Sequence, residues 1–447
     1  MGTSHHRLKQ CSSWMPRFLM PQQLTPAWTT HKYHPAQDRL WRTDKKFILV
    51  AAGRGSGKTE LMRRRQVRWL PVRQKDVVTP LHGYALPTFN QARRVAWEPI
   101  KSLVPPSWIS KVSESEMSIT TVFGSKLYVL GMDKPERAEG VQWSTFIFDE
   151  SCDQKPGAFG KSILPALSHN CIWCGRIGVP KRTGPGAAEF RQAWEDGLHD
   201  PDSISLTWPS KDIVSADVIK WARDNLSAQD FDEQYNASWL TVSGGVYYAF
   251  DAGVGSNVRE DAVYQKELPI LVGMDFNVDP MCWVLAHSIN GDLYVFDEIH
   301  QHNTNTRRSL DTLFGKYGKH RSGWFFTGDA SSRARKTSAD LSDYAQIHAD
   351  SRFFKSTVRF PRHNPSIHHR VSTVNAACLN ASGDRRLFVA PSCKALLKDL
   401  TVGYKPGTRD INTSGNMGHM TDALGYLVMY FLPIKIQQTD APSVYST

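Results

Sequence analysis

The chain is 447 residues long and carries 54 Lys plus Arg against 43 Asp plus Glu, a net charge of +11. Hydrophobic residues make up 40% and Trp occurs 14 times, which excludes a wholly disordered chain and leaves apolar material for more than one core. The positive surplus points to a polyanion, nucleic acid or an acidic membrane surface, without choosing between them.

Residues 1–35 are polar, basic and interrupted by Pro, and read as an N-terminal arm with no apolar run of signal-peptide length. From 36 to 240 short apolar runs alternate with helical stretches. Phe47–Ala51, Ser125–Leu130, Thr145–Phe148 and Ile172–Val179 read as strands, and 58–70, 90–103 and 188–196 as helices. Such alternation predicts an α/β domain with a largely parallel sheet. Residues 241–268 are Gly-rich and broken, and read as a linker. A second domain, 269–435, opens on the apolar strand Pro269–Met274. It continues with runs at 281–287 and 292–297 around the turn signal Asn290-Gly291, then Trp324–Thr327 and a helix at 421–432. The tail 436–447 is polar. The longest apolar run, Ala423–Ile434, is too short to span a bilayer and contains Gly425 and Pro433.

Seven Cys without regular spacing suit a reducing compartment, and the lone CxxC of Cys171 and Cys174 lacks the second pair a zinc site needs. The reading is a soluble, intracellular protein.

Ala52-Gly53-Arg54-Gly55-Ser56-Gly57-Lys58-Thr59 lies between an apolar strand and a helical run. Glycines let the backbone turn so that successive N–H groups and the helix N-terminus cradle phosphates. Lys58 then reaches the β/γ-phosphates of ATP and Thr59 ligates Mg²⁺. Ala52 stands where the strict pattern has Gly. The partner signal is an apolar strand ending in acid, Phe146-Ile147-Phe148-Asp149-Glu150. Asp149 is expected on the Mg²⁺ side and Glu150 as the base for the attacking water. Arg54, inside the loop, and Arg137 are the candidates for stabilising charge on the γ-phosphate.

In the second domain Asp275, Asp329 and Glu298 end apolar strands, and Asp422 opens the last helical run. Carboxylates converging from separate elements suit two Mg²⁺ or Mn²⁺ ions, which can activate water and stabilise the leaving oxygen of a phosphodiester. Taken singly, each Asp is more often a helix cap or turn residue.

Together these motifs resemble those of the large terminase subunit of tailed bacteriophages. The residues that carry the resemblance are AGRGSGKTE, FIFDES, DFNVDP at 275–280, GDASS at 328–332, GYKPGT and GHMTDALGY, in that order from about 35 to 433. The resemblance implies an ASCE-type P-loop ATPase followed by an RNase H-like nuclease with a mixed sheet. It implies Gln37 as the adenine-contacting residue, and Asp275, Asp329 and Asp422 as the nuclease metal triad, with Glu298 an additional ligand and His419 a neighbour. It further implies a DNA-packaging motor with double-stranded DNA, the portal of the prohead and the small terminase subunit as partners. The motor would be a homo-oligomeric ring (a pentamer) on the portal, built from chains that can be monomers in solution. Its place would be the host cytoplasm, transiently on the prohead, with no membrane. Arg333, Arg335, Lys336, Lys405 and Arg409 are expected to contact DNA phosphates near the nuclease cleft. Two positions depart from the family: Val179-Pro180 lacks its usual hydroxyl, and Glu139 stands before Gly140 where Arg is common. The competing readings are a helicase-type DNA translocase without nuclease activity, and a non-enzymatic docking protein.

Overall fold

A computed structural model describes residues 34–240, 245–253, 256–277, 279–330, 341–353, 355–403 and 418–434. By their contacts they divide into two compact units. The first runs through Ala51 and includes Gly57–Gly178 and Gly184–Thr207; the second holds Ala52–Ser56, Val179–Thr183 and the chain from Trp208 on.

The first unit is built on eight strands: β1 (Phe47–Ala52), β2 (Leu81–Leu86), β3 (Ile109–Ser113), β4 (Ser118–Thr121), β5 (Lys126–Gly131), β6 (Trp143–Phe148), β7 (Trp173–Gly178) and β8 (Ser203–Trp208). Their order in the sheet is β3-β4-β5-β2-β6-β7-β1-β8. β5, β2, β6, β7 and β1 run parallel, while β3 and β4 pair antiparallel. Every residue of β6 and β7 is buried, as expected of central parallel strands covered on both faces. β2 is not visible as an apolar run because His82 and Gly83 interrupt it. The helical run predicted at 90–103 is a short helix, a π-helical stretch Ala92–Trp97 and a second helix Glu98–Leu103.

His82 is fully buried, with Nδ1 2.8 Å from the Thr145 hydroxyl, and burial pushes its pKa down to about 3. An unfolded His titrates near the ordinary value of ~6.5, so the unfolded chain takes up this proton first as the pH falls. The stability due to neutral His82 is complete above that value and is lost on acidification, by about 2 kcal/mol at pH 5. The expected result is a smaller drop in unfolding midpoint between pH 7 and 5 for His82→Gln than for the unsubstituted chain. Equal drops would contradict the assignment.

The second unit contains a six-stranded mixed sheet of β9 (Ile270–Asp275), β10 (Met281–Ile289), β11 (Asp292–Gln301), β12 (Trp324–Gly328), β13 (Ser356–Val358) and β14 (Leu387–Val389). Its order is β13-β12-β9-β10-β11-β14. β9, β10 and β11 form an antiparallel meander, while β12 is parallel to both β9 and β13, and β14 to β11. That is the mixed-sheet order of an RNase H-like fold with one strand added beside β11. The predicted hairpin is present: Asn290 and Gly291 both take positive φ, 54° and 89°, matching the twist of the strands they join.

Helix His419–Phe431 covers one of the two apolar faces of this sheet, with Leu424, Leu427 and Val428 in one core with Leu271, Val284 and Val295. The helix backbone comes so close to β9 that a Cβ on Gly273 would lie 2.4 Å from the Ala423 carbonyl oxygen. A side chain there would push away the helix that carries Asp422.

Candidate functional site

The phosphate-loop signature forms the turn between β1 and helix Lys58–Arg68. Gly55 and Gly57 take φ of 70° and 78°, conformations that L side chains adopt at a cost of about 1 kcal/mol or more. Gly57 is the N-cap, so Lys58 and Thr59 are the first residues of the helix, where unpaired amides and the helix dipole favour an anion. Lys58 is buried and Thr59 half-buried. Gln37 is brought to the same place: its Nε2 lies 2.8 Å from where a Cβ on Gly57 would be.

The first half of the loop belongs to the second unit because its backbone is bonded there. Gly53 N–H donates to the Trp208 carbonyl (3.0 Å) and Arg54 N–H to that of Gln234 (2.5 Å). The Ser210 hydroxyl donates to the Arg54 carbonyl (2.6 Å), and the Trp208 indole to that of Ser56 (2.9 Å). The exposed Arg54 guanidinium donates to Gln234 Oε1 at 3.2 Å. Gln234 ends helix Ala228–Gln234, whose buried Asp230 and Glu233 pair with Arg182 at 2.7 and 2.9 Å. Arg182 lies just beyond the Val179-Pro180 departure. Burial pushes the Glu233 carboxyl up to about 7, against the pull of Arg182.

Asp149 and Glu150 follow β6 directly. β1 and β6 are both parallel to β7, which lies between them, so the phosphate loop and the acidic pair leave the same edge of one sheet, about 10 Å apart. Asp149 is buried and fully engaged: Oδ2 accepts from the Tyr84 hydroxyl (2.6 Å) and Oδ1 from the Glu150 amide (2.7 Å), while its carbonyl accepts from Gln154 (2.7 Å). Burial, then the Asp149 charge, pushes the Tyr84 phenol well above its ordinary value, so Tyr84 remains a donor. Glu150 is left-handed, with φ of 50°, a strained conformation of the kind that gathers at functional sites. Its Oε2 is 3.4 Å from Gln91 Nε2, and Gln91 is in turn oriented by Thr88. Arg137 is exposed.

Sequence reasoning passed over Tyr84, Gln91 and Gln154. Only Tyr84 left a signal, a phenol inside an apolar strand that needs a partner.

In the second unit Asp275 ends β9 and Asp329 is the residue after β12. The register Gly328↔Met274 sets them side by side on adjacent parallel strands. Asp422 lies in the first turn of helix His419–Phe431. Asp275 Oδ2 accepts from Asn277 Nδ2 (2.6 Å) and meets His419 Nδ1 (2.9 Å). Asp329 Oδ1 accepts from Asn364 Nδ2 (3.1 Å) and Asp422 Oδ1 from Arg370 (2.8 Å). Burial pushes the Asp422 carboxyl up; Arg370 pulls it down and Asp275 pushes it up further. The bond to Asp275 holds His419 above its ordinary value. Asp399, which the sequence did not single out, accepts from the Gly418 and Met420 amides at 2.9 and 3.0 Å and fixes the start of this helix.

Glu298 is placed differently from the three aspartates. Its two carboxylate oxygens accept from the Ala395 and Leu396 amides, both at 2.9 Å, at the start of helix Lys394–Asp399. Loss of these charge-assisted bonds in Glu298→Ala is expected to cost about 1–3 kcal/mol of stability. A urea titration checks this, and an unchanged midpoint would contradict it.

Among the described residues no three His, Cys, Asp or Glu side chains stand close enough to hold one ion. The donor chemistry of Asp275, Asp329 and Asp422 still fits a hard divalent cation, being carboxylate oxygen throughout. Asp422 also resists ionisation in part because of Asp275, and a cation would relieve that repulsion. Arg333, Arg335, Lys336, Lys405 and Arg409 lie outside the described residues. Burial pushes Cys171 up to about 11 and Cys174 well above the ordinary thiol value, so neither is poised as a thiolate ligand.

No family model and no curated protein matches the sequence. Solved structures do. The large terminase of a thermophilic bacteriophage matches with a TM-score of 0.59 and 16% identity, over 90% of this chain and 100% of that one. Its complex with ADP gives 0.58 at 17% identity, over 90% and 100%. Its complex with ATP-γ-S gives 0.57 at 16%, over 89% and 99%. The chain has the large-terminase fold. Within that fold the phosphate loop and acidic pair follow strands of the parallel-rich sheet, while Asp275 and Asp329 lie at strand ends of the mixed one and Asp422 on the helix packed against it. No helix of the described residues is long and apolar enough to cross a membrane.

Proposed function

We propose that this chain is the DNA-packaging enzyme of a tailed phage, an ATPase that drives double-stranded DNA into a prohead and a metal-dependent endonuclease that cuts the concatemer at the start and end of packaging. The observation that carries the reading is the presence of two separate constellations in one basic chain. One is a phosphate loop sharing a sheet edge with Asp149 and Glu150; the other is three aspartates gathered by adjacent strands and one helix. The thermophilic-phage terminase complexes with ADP and ATP-γ-S support nucleotide as the ligand of the first. The proposed division is an ATPase domain over 36–240 and a nuclease domain over 269–435, joined by 241–268.

In the ATPase, the Gly53–Gly57 backbone and Lys58 hold the phosphates, Thr59 and Asp149 hold Mg²⁺, and Gln37 lies beside the loop to meet the adenine. Glu150 takes the proton of the attacking water. Arg54 adds positive charge at the γ-phosphate once its guanidinium leaves Gln234. Tyr84 holds Asp149 in one orientation.

In the nuclease, Asp275, Asp329 and Asp422 would hold two Mg²⁺ or Mn²⁺ ions. The ions supply a nucleophile from water at neutral pH and charge stabilisation at the leaving oxygen. Glu298 we assign to capping helix Lys394–Asp399. His419 and Asn277 orient Asp275. The proposed partners are double-stranded DNA, the portal, the small terminase subunit and further copies of this chain in a ring, in the host cytoplasm. DNA held through its phosphates predicts affinity that falls steeply with salt.

The test is phosphate release from ATP in Mg²⁺ with duplex DNA, beside nicking of supercoiled plasmid in Mn²⁺. Both activities are expected. Phosphate release with no nicking would leave a translocase of helicase type, and neither activity would leave a docking protein.

A further inference from the structure

We propose that Asn364 and Arg370 are positioning residues that orient Asp329 and Asp422 for a divalent cation. This rests on the nuclease reading above and adds two residues to it. Neither belongs to the acidic motifs. They lie 35 and 52 residues from the carboxylates they touch, and both come from one short stretch at the start of helix Ile367–Cys378.

Asn364 holds its target from two sides. Its Nδ2 donates to Asp329 Oδ1 at 3.1 Å, and its Oδ1 accepts from the Ala330 amide at 2.6 Å. The Ala330 N–H can only donate, so the amide orientation of Asn364 is determined. One side chain therefore fixes both the Asp329 carboxylate and the backbone just after it.

Arg370 is 7% exposed, a costly place for a guanidinium unless it is paired. Nη2 donates to Asp422 Oδ1 at 2.8 Å, and Nη1 to the Tyr426 hydroxyl (3.1 Å) and the Pro365 carbonyl (3.3 Å). The guanidinium also lies 4.8 Å from the centre of the Tyr426 ring. These contacts fork from a planar group in a way that a Lys ammonium does not reproduce.

The three carboxylates share one pattern. Each has an oxygen held by a neutral amide or a guanidinium: Asp275 by Asn277, Asp329 by Asn364 and Asp422 by Arg370. Asp422 Oδ2 makes no hydrogen bond among the described residues. Outer partners of this kind fix ligand orientation, and their removal typically costs about 10–100-fold in metal affinity. A purely structural ion pair would cost stability instead and leave metal affinity unchanged.

The experiment is titration of the full chain with Mn²⁺, reading free ion by electron paramagnetic resonance. It compares the unsubstituted chain with Asn364→Ala, Arg370→Lys and Asp329→Ala, with ATP hydrolysis and thermal melting as checks of fold. Asn364 is exposed, so its variant is expected to fold. Asn364→Ala and Arg370→Lys are predicted to bind Mn²⁺ about 10–100-fold more weakly while hydrolysing ATP at the unsubstituted rate. Equal or tighter binding in Asn364→Ala, with binding lost in Asp329→Ala, would overturn this proposal and leave the nuclease reading standing. No Mn²⁺ binding by the unsubstituted chain would overturn the nuclease reading itself.

Discussion

Lys58→Ala is expected to lower ATP turnover by about 1000-fold, equivalent to ~4 kcal/mol at the transition state. Lys58 is the first residue of the helix that follows the phosphate loop, and in the proposed ATPase its ammonium reaches the β/γ-phosphates. Alanine favours a helix, and the loop's own backbone bonds to Trp208 and Gln234 do not involve the lysine side chain. The loss is therefore expected in turnover rather than in folding. Steady-state phosphate release with matched melting curves checks it; a variant within tenfold of the unsubstituted rate would remove Lys58 from the site. Metal-dependent cleavage should continue, because none of the three aspartates belongs to the phosphate-loop sheet.

Asp329→Ala is expected to abolish cleavage, with a fall on the order of 1000-fold or more. The substitution removes the carboxylate that stands beside Asp275 on the neighbouring parallel strand. Thermal melting of the variant beside the unsubstituted chain separates loss of the site from loss of fold. ATP hydrolysis should be unchanged. Cleavage of supercoiled plasmid in Mn²⁺, followed over time, measures the effect.

Much of this architecture is legible in the sequence because it rests on local pattern. Phe47–Ala52 and Trp143–Phe148 are near-continuous apolar runs, as buried parallel strands must be. The Gly-rich loop lies between a strand and a helix, and that context gives it meaning. Asp275 stands out because a carboxylate ends an apolar strand. What the sequence hides depends on chain segments meeting from far apart. The placing of β7 between β1 and β6 is a matter of sheet order, which no local period encodes. The bond from Tyr84 to Asp149 crosses 65 positions. Glu298 looked like Asp275, an acid at the end of an apolar run, but it lies inside β11, which runs on to Gln301, and it accepts from the Ala395 and Leu396 amides. Asn364 and Arg370 carry no motif, since an outer partner needs only a donor in the right place.

Two independent active centres in one chain would be separated by a crossed assay of the two variants. Phosphate release and plasmid cleavage in Mn²⁺ are measured on Lys58→Ala and Asp329→Ala from the same preparations. Lys58→Ala is expected to lose phosphate release and still cut, and Asp329→Ala to stop cutting and still hydrolyse ATP. Cleavage that survives Asp329→Ala and vanishes with Lys58→Ala would contradict it.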